Sequence, residues 1–209
     1  MANSPISSLN RPKIDILVVL GILGAFIFFL GFALLLPVGI DLIYSEDTWL
    51  SFLISAGIAF ISGGLLWWLF RPTEEIRIRE GFMVVALTWI TLSLVGALPF
   101  IISGILPSYT DAVFETMSGL TTGSTIMGGI TSTGFQNPTI ESLPHSFLFW
   151  RSLAQWLGGM GIIVLSLAIL PLLGIGGMQL FQAESPGPTA DKLTPRVQET
   201  AKLLWVVYV

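Results

Sequence analysis

Residues 16–36, 48–70, 82–106 and 152–183 contain no Asp, Glu, Lys or Arg. Each run is long enough to cross a lipid bilayer, for which about 20 apolar residues suffice. A chain with four such runs cannot hide them all in one soluble core, so the bilayer must be part of its solvent. Composition agrees: 11% of residues are charged, against about 25% in soluble domains, and mean hydropathy is +0.84. The fourth run is long enough to tilt, break or extend past the bilayer. The first is too long for a signal-peptide core, and Leu34, Leu35, Leu36 and Pro37 offer no small-residue cleavage site. It reads as a retained helix. Together the runs predict an all-α integral membrane protein.

The cations order these runs. Arg11 and Lys13 precede the first. The connection 37–47 holds Asp41, Glu46 and Asp47 without a cation, whereas 71–80 holds Arg71, Arg77 and Arg79. The connection 107–146 has no Lys or Arg, and Lys192, Arg196 and Lys202 follow the fourth run. Cations alternate with the connections, as the positive-inside rule requires. The N-terminus and the segment after residue 183 are therefore expected in the cytoplasm.

That parity bears on the stretch MSGLTTGSTIMGGITSTG at 117–134, which lies between the third and fourth runs. If it crossed the membrane, the fourth run would reverse and place Lys192 and Arg196 outside. From 116 to 134, 14 of 19 residues are Thr, Ser or Gly, far too polar for a helix facing lipid. Irregular backbone at membrane depth is tolerated only where it is buried in protein or lines a watery path. Composition and parity together predict a re-entrant segment that enters and leaves on the outer side. Its make-up suits backbone carbonyls that replace an ion's water shell.

Local signals sharpen the segment. Ser108 followed by Asp111 resembles a helix-capping pair, and a short helix is expected over about 111–120. Asp111 and Glu115 suit the positive start of its dipole, so its negative end points at Thr121, Thr122 and Gly123. Arg151 stands at the outer start of the fourth run, where it can snorkel or pair with Asp111 or Glu115 in support of the short helix. Pro99 should kink or end the third helix. Gly158, Gly159 and Gly161, with Gly174, Gly176, Gly177 and Pro171 further on, either admit a neighbouring backbone or break the fourth helix. The lone histidine, His145, has no convincing carboxylate neighbour in the sequence and reads as structural or interfacial. Cysteine is absent, and no paired carboxylates or nucleophile–base set stands out, so an enzyme is not expected. The net charge of -4 gives no case for nucleic acid. The residues 184–188 form a turn and 191–202 a polar linker. A fifth hydrophobic run opens at 203–209, which reads as the truncated start of another membrane helix in a longer protein.

The segments REGFMVV (79–85), VGALPF (95–100), DAVFETMSGLTTGST (111–125), LPHSFLFWRSLAQWLGGMGIIVL (143–165), LAILPLLGIGGMQLFQAESPGP (167–188) and PRVQETAKLLW (195–205) carry a resemblance. From about residue 64 onward the chain resembles the membrane subunits of Trk-type bacterial potassium uptake systems, in the Trk/Ktr/HKT superfamily. The resemblance implies four helix–pore loop–helix units around one pore, here preceded by two extra helices. It implies a filter to which each unit gives one strand centred on a glycine, here Gly123. Thr121 and Thr122 would offer carbonyls to a potassium ion, and Ser124 would complete the strand. It further implies the remaining pore units, a homodimer, and a cytosolic nucleotide-binding regulatory subunit at the inner face. Where the family commonly has three threonines before that glycine, this chain has two.

The resulting expectation is a cytosolic tail (1–15), a two-helix hairpin (16–78), one helix–re-entrant loop–helix unit (79–183), a cytosolic linker (184–202) and the start of a further helix (203–209). The function expected is potassium uptake across the bacterial inner membrane, among membrane lipid. Two other readings stand beside it: a channel of four identical short chains, and a non-transporting scaffold in which the Gly/Thr segment only packs.

Overall fold

The computed structural model describes residues 15–71, 78–130, 134, 136–173 and 206–208. They form helices α1 (Ile16–Tyr44), α2 (Trp49–Leu69), α3 (Ile78–Gly96), α4 (Leu98–Ile102), α5 (Tyr109–Leu120) and α6 (His145–Leu173), with a 3-10 turn at Ile140–Ser142. Among the described residues three helical stretches are long and apolar enough to cross a membrane: Ile16–Tyr44, Trp49–Leu69 and Glu80–Ile102. Large apolar side chains such as Phe29, Ile61 and Trp68 point outward from them, as expected where the surroundings are lipid.

α1 starts where the Asp15 side chain accepts from Leu17 N at 2.9 Å, while Asp15 N donates to Glu80 on α3 at 3.0 Å. It does not stop at Pro37. The helix continues for two turns beyond it, to Tyr44, so the first connection is only residues 45–48. Asp41, expected in an outer loop, is instead a fully buried helical residue. Its carboxylate accepts from Trp49 N, the first amide of α2, at 2.7 Å and from the Thr48 hydroxyl.

α1 and α2 pack as an antiparallel hairpin because two glycines let their backbones meet. A Cβ on Gly63 would lie 2.7 Å from the Gly24 carbonyl oxygen and 2.9 Å from Phe28 Cα. Phe28 fills the adjacent space edge-on to Phe60 (5.2 Å between centroids) and beside Trp67 (5.9 Å). The main core lies toward the other end, where Leu34, Phe52, Phe100, Leu106, Phe147 and Trp150 are all buried.

α3 ends at Gly96, and Pro99 sits in the first turn of the short α4. Proline suits that position because its missing N–H would be unsatisfied there anyway. α6 begins beneath Glu46, whose Oε1 accepts from His145 N at 2.9 Å and whose Oε2 accepts from Ser146 N at 3.3 Å. The His145 Nδ1 lies 2.8 Å from Glu46 Oε1, and the ring stacks on Tyr44 at 3.9 Å. Hence His145 does have a carboxylate neighbour, 99 residues away in sequence. Burial by itself would raise the Glu46 carboxyl pKa. The hydrogen bonds from the His145 amide and ring and the Ser146 amide outweigh that and hold it below the ordinary 4.5.

α6 runs unbroken through Gly158, Gly159 and Gly161, so of the two outcomes expected there, close approach holds and a break does not. The tail before residue 15, residues 72–77, the glycines at 174–177, the turn at 184–188 and the linker lie outside the described residues. Of the fifth run, residues 206–208 are helical, and Tyr208 stacks on Trp156 of α6 at 6.4 Å.

Candidate functional site

α5 lies in the angle between α3 and α6. It spans Tyr109–Leu120, starting two residues before the expected Asp111. Ser108 is its N-cap, with the hydroxyl accepting from Asp111 N at 3.4 Å. Small side chains let the helix sink between its neighbours. Thr116 and Trp150 both press on Gly96, where a Cβ would meet them at 2.8 and 3.2 Å. The Trp150 indole donates to the Gly96 carbonyl at 3.2 Å. The end of α3, the middle of α5 and the start of α6 thus share one contact point.

The far end of α5 is shaped by its cap. Thr122 N donates to the Gly119 carbonyl at 3.0 Å and Gly123 N to the Ser118 carbonyl at 2.7 Å. Thr122 is left-handed, with φ of 55°. Those two bonds around one left-handed residue make a Schellman ending. Gly123 itself has no positive φ; the left-handed angle falls on Thr122. The reason at Gly123 is space: a Cβ there would lie 2.9 Å from Ser118 Oγ, and that hydroxyl donates to the Ser124 carbonyl.

The cap turns the amides of residues 122 and 123 back into the helix. Among the described residues nothing donates to the carbonyls of Thr121, Thr122 or Gly123. Thr121, Thr122, Gly123 and Ser124 are all exposed, although the helix that carries them buries Ala112, Glu115, Thr116, Ser118 and Leu120. The arrangement presents consecutive free carbonyls at the negative end of a helix dipole, which favours a cation.

Behind this turn sits a buried ion pair. Glu115 is 2% exposed. Its Oε1 accepts from Arg151 Nε at 2.6 Å, and its two oxygens accept from the Thr125 hydroxyl at 2.8 and 2.9 Å. Oε2 also accepts from Ile126 N at 2.9 Å. One carboxylate therefore ties the segment after the turn to both α5 and α6. The loop beyond is held in turn by Asn137, whose amide side chain donates to the Ile126 carbonyl at 3.1 Å. Ile130 and Gln136 form an antiparallel bridge.

The structure brings Glu115 and Arg151 together and leaves Asp111 apart. Asp111 stands in the first turn of α5, and its Oδ2 is buried without a hydrogen-bond partner among the described residues. Sequence reading missed Ser118, Thr125 and Asn137. Ser118 stands in the last turn of α5, and Thr125 and Asn137 in the segment after it; no periodic pattern there singles out one hydroxyl or amide from the next.

Comparison with known proteins gives consistent matches. Residues 50–209 fit the TrkH family profile, described as cation transport protein. The chain is 47% identical over 193 residues to the Trk system potassium uptake protein TrkH of Salmonella typhimurium, covering 90% of this chain and 38% of that protein. It is 44% identical over 194 residues to the protein of the same name from Halomonas elongata, covering 91% and 38%. The crystal structure of the potassium transporter TrkH from Vibrio parahaemolyticus superimposes with a TM-score of 0.72 at 35% identity, covering 93% of this chain and 37% of that one. The chain thus spans 38% of the length of the curated relatives it matches.

Proposed function

The chain belongs to the TrkH family of cation transport proteins, and from that premise we propose that it supplies one of four filter-forming units of a larger potassium uptake pore. The carrying observation is the end of α5. A Schellman cap turns the amides inward and leaves the carbonyls of Thr121, Thr122 and Gly123, all exposed residues, without a donor among the described residues at the negative end of a half-buried helix. Carbonyls so placed replace part of the hydration shell of a potassium ion, which is the transported substrate. Ser124 completes the strand, anchored through its carbonyl to Ser118. Glu115 and Arg151 hold the segment from behind without adding net charge.

In this reading α5 and the segment to residue 142 re-enter the membrane from the outside, between spans formed by α3 with α4 and by α6. The N-terminus is cytoplasmic and the membrane is the bacterial inner membrane, as the cation pattern of the connections supports. The other pore units complete the filter. The protein acts as a homodimer with a cytosolic nucleotide-binding regulatory subunit at its inner face.

The test replaces Gly123 by a bulky residue in the protein expressed from its native gene, in a strain without other potassium uptake. Loss of uptake with normal membrane abundance is the expected result. Unchanged uptake would sink the filter assignment and favour a packing role for the segment.

A further inference from the structure

Three glycines, Gly158, Gly159 and Gly161, lie in the middle of α6, and each costs a helix about 1 kcal/mol relative to alanine. Their surroundings differ sharply. At Gly161 a Cβ would make an ordinary contact with the Trp89 ring at 3.7 Å. At Gly159 it would press on the ring of Tyr208, with Cζ at 3.2 Å. At Gly158 it would fall inside the Leu120 carbonyl oxygen, 2.5 Å from the carbonyl carbon and 2.8 Å from Leu120 Cα. Only at Gly158 is the obstacle the main chain of α5, which cannot swing aside as a side chain can.

Leu120 is the last residue of α5, directly before Thr121. The Schellman bonds tie residues 122 and 123 to the same turn, so any movement of Leu120 carries the exposed carbonyls with it. The contact is continuous with a second one a turn away on α6, where Ala154 Cβ would meet a Cβ on Gly119 at 3.5 Å. Ala154 is itself buried. The depth to which α5 sinks against α6 is thus set by the bare backbone at Gly158 and the single methyl at Ala154.

We propose that Gly158 is a positioning residue for ion discrimination: it sets the height of the end of α5, and through it the spacing of the carbonyls of Thr121, Thr122 and Gly123. This rests on the filter reading above. Potassium and sodium carry equal charge and differ in size, so a filter separates them by where its carbonyls stand and how firmly they are held. A methyl group at residue 158 forces the helix end outward and moves those carbonyls as a unit.

The test compares Gly158→Ala, Ala154→Val, Gly161→Ala and Gly123→Val, each in the protein expressed from its native gene in a strain lacking other potassium uptake. The readouts are membrane abundance and the ratio of potassium to sodium uptake at equal concentrations. Gly158→Ala is expected to keep its abundance and to show a reduced ratio. Ala154→Val, which wedges the same helices apart with the glycine intact, should shift it the same way, and Gly161→Ala should match the unmodified protein. A normal ratio in Gly158→Ala overturns the proposal, as does an equal loss in Gly161→Ala, which would mark a general effect on α6. If Gly158→Ala does not accumulate, Ala154→Val decides: a reduced ratio supports the proposal and a normal one overturns it. Gly123→Val separates the two levels. Loss of discrimination there with none in Gly158→Ala rejects the positioning role alone, whereas no loss at Gly123 rejects the filter reading.

Discussion

The Arg151 guanidinium donates through Nε to Glu115 Oε1 over 2.6 Å, and the same carboxylate receives the Thr125 hydroxyl and the Ile126 amide. Arg151 is therefore the counter-charge that lets a nearly fully buried glutamate serve as a tether. Removing one partner of a buried pair leaves the other uncompensated, at a cost of about 3–5 kcal/mol. Arg151→Ala should lower the melting temperature in detergent markedly. Arg151→Lys should fall between, because a point charge cannot reproduce the guanidinium geometry. Equal melting temperatures for all three proteins would contradict the tether.

Thr122 holds a left-handed backbone that a β-branched side chain resists, whereas asparagine enters it readily. Thr122→Asn should stabilise the protein by about 1 kcal/mol, and Thr122→Val should give no gain. Thermal unfolding of the purified variants checks both, and a loss in Thr122→Asn would show that the threonine side chain matters more than the turn.

Gly63 and Gly57 lie on the same helix with opposite surroundings. A Cβ on Gly63 meets α1 backbone, and one on Gly57 meets nothing within 4 Å. Gly63→Leu should destabilise the hairpin by about 2 kcal/mol, the usual scale for overpacking. Gly57→Leu should be tolerated. Detergent unfolding of both variants distinguishes them.

The Glu46 carboxyl has its pKa lowered below 4.5 in the folded protein. At acid pH the unfolded chain then binds more protons than the folded one, so stability rises with pH across that window. The contribution of Glu46 is complete above its ordinary value and disappears as pH falls through the lowered folded value. Melting temperature should accordingly drop on acidification below about pH 4.5, and Glu46→Gln should flatten that part of the profile. An unaltered acid slope in Glu46→Gln would assign the effect to other carboxylates.

Three of the membrane helices, the cap at Ser108 and the end of α5 at Leu120 were legible in the amino-acid order because their causes are local. Charge-free length makes a span, and a hydroxyl three residues before an amide makes a cap. The first connection was misjudged: of residues 37–47, those up to Tyr44 continue α1, and Asp41 is buried against the start of α2.

Sequence by itself determined that this chain crosses a membrane, that a Gly/Thr segment interrupts it, and that cations mark alternate connections. Tertiary structure alone decided which carboxylate meets Arg151, that Glu46 caps α6 from 99 residues away, and that Gly158 receives the end of α5. Hydrophobic length and capping act over a few residues and leave a pattern in the chain. Long-range pairing depends on which helix faces approach, and that follows from the absence of side chains at Gly24, Gly63, Gly96 and Gly158, a signal that has meaning only once the opposing backbone is in place.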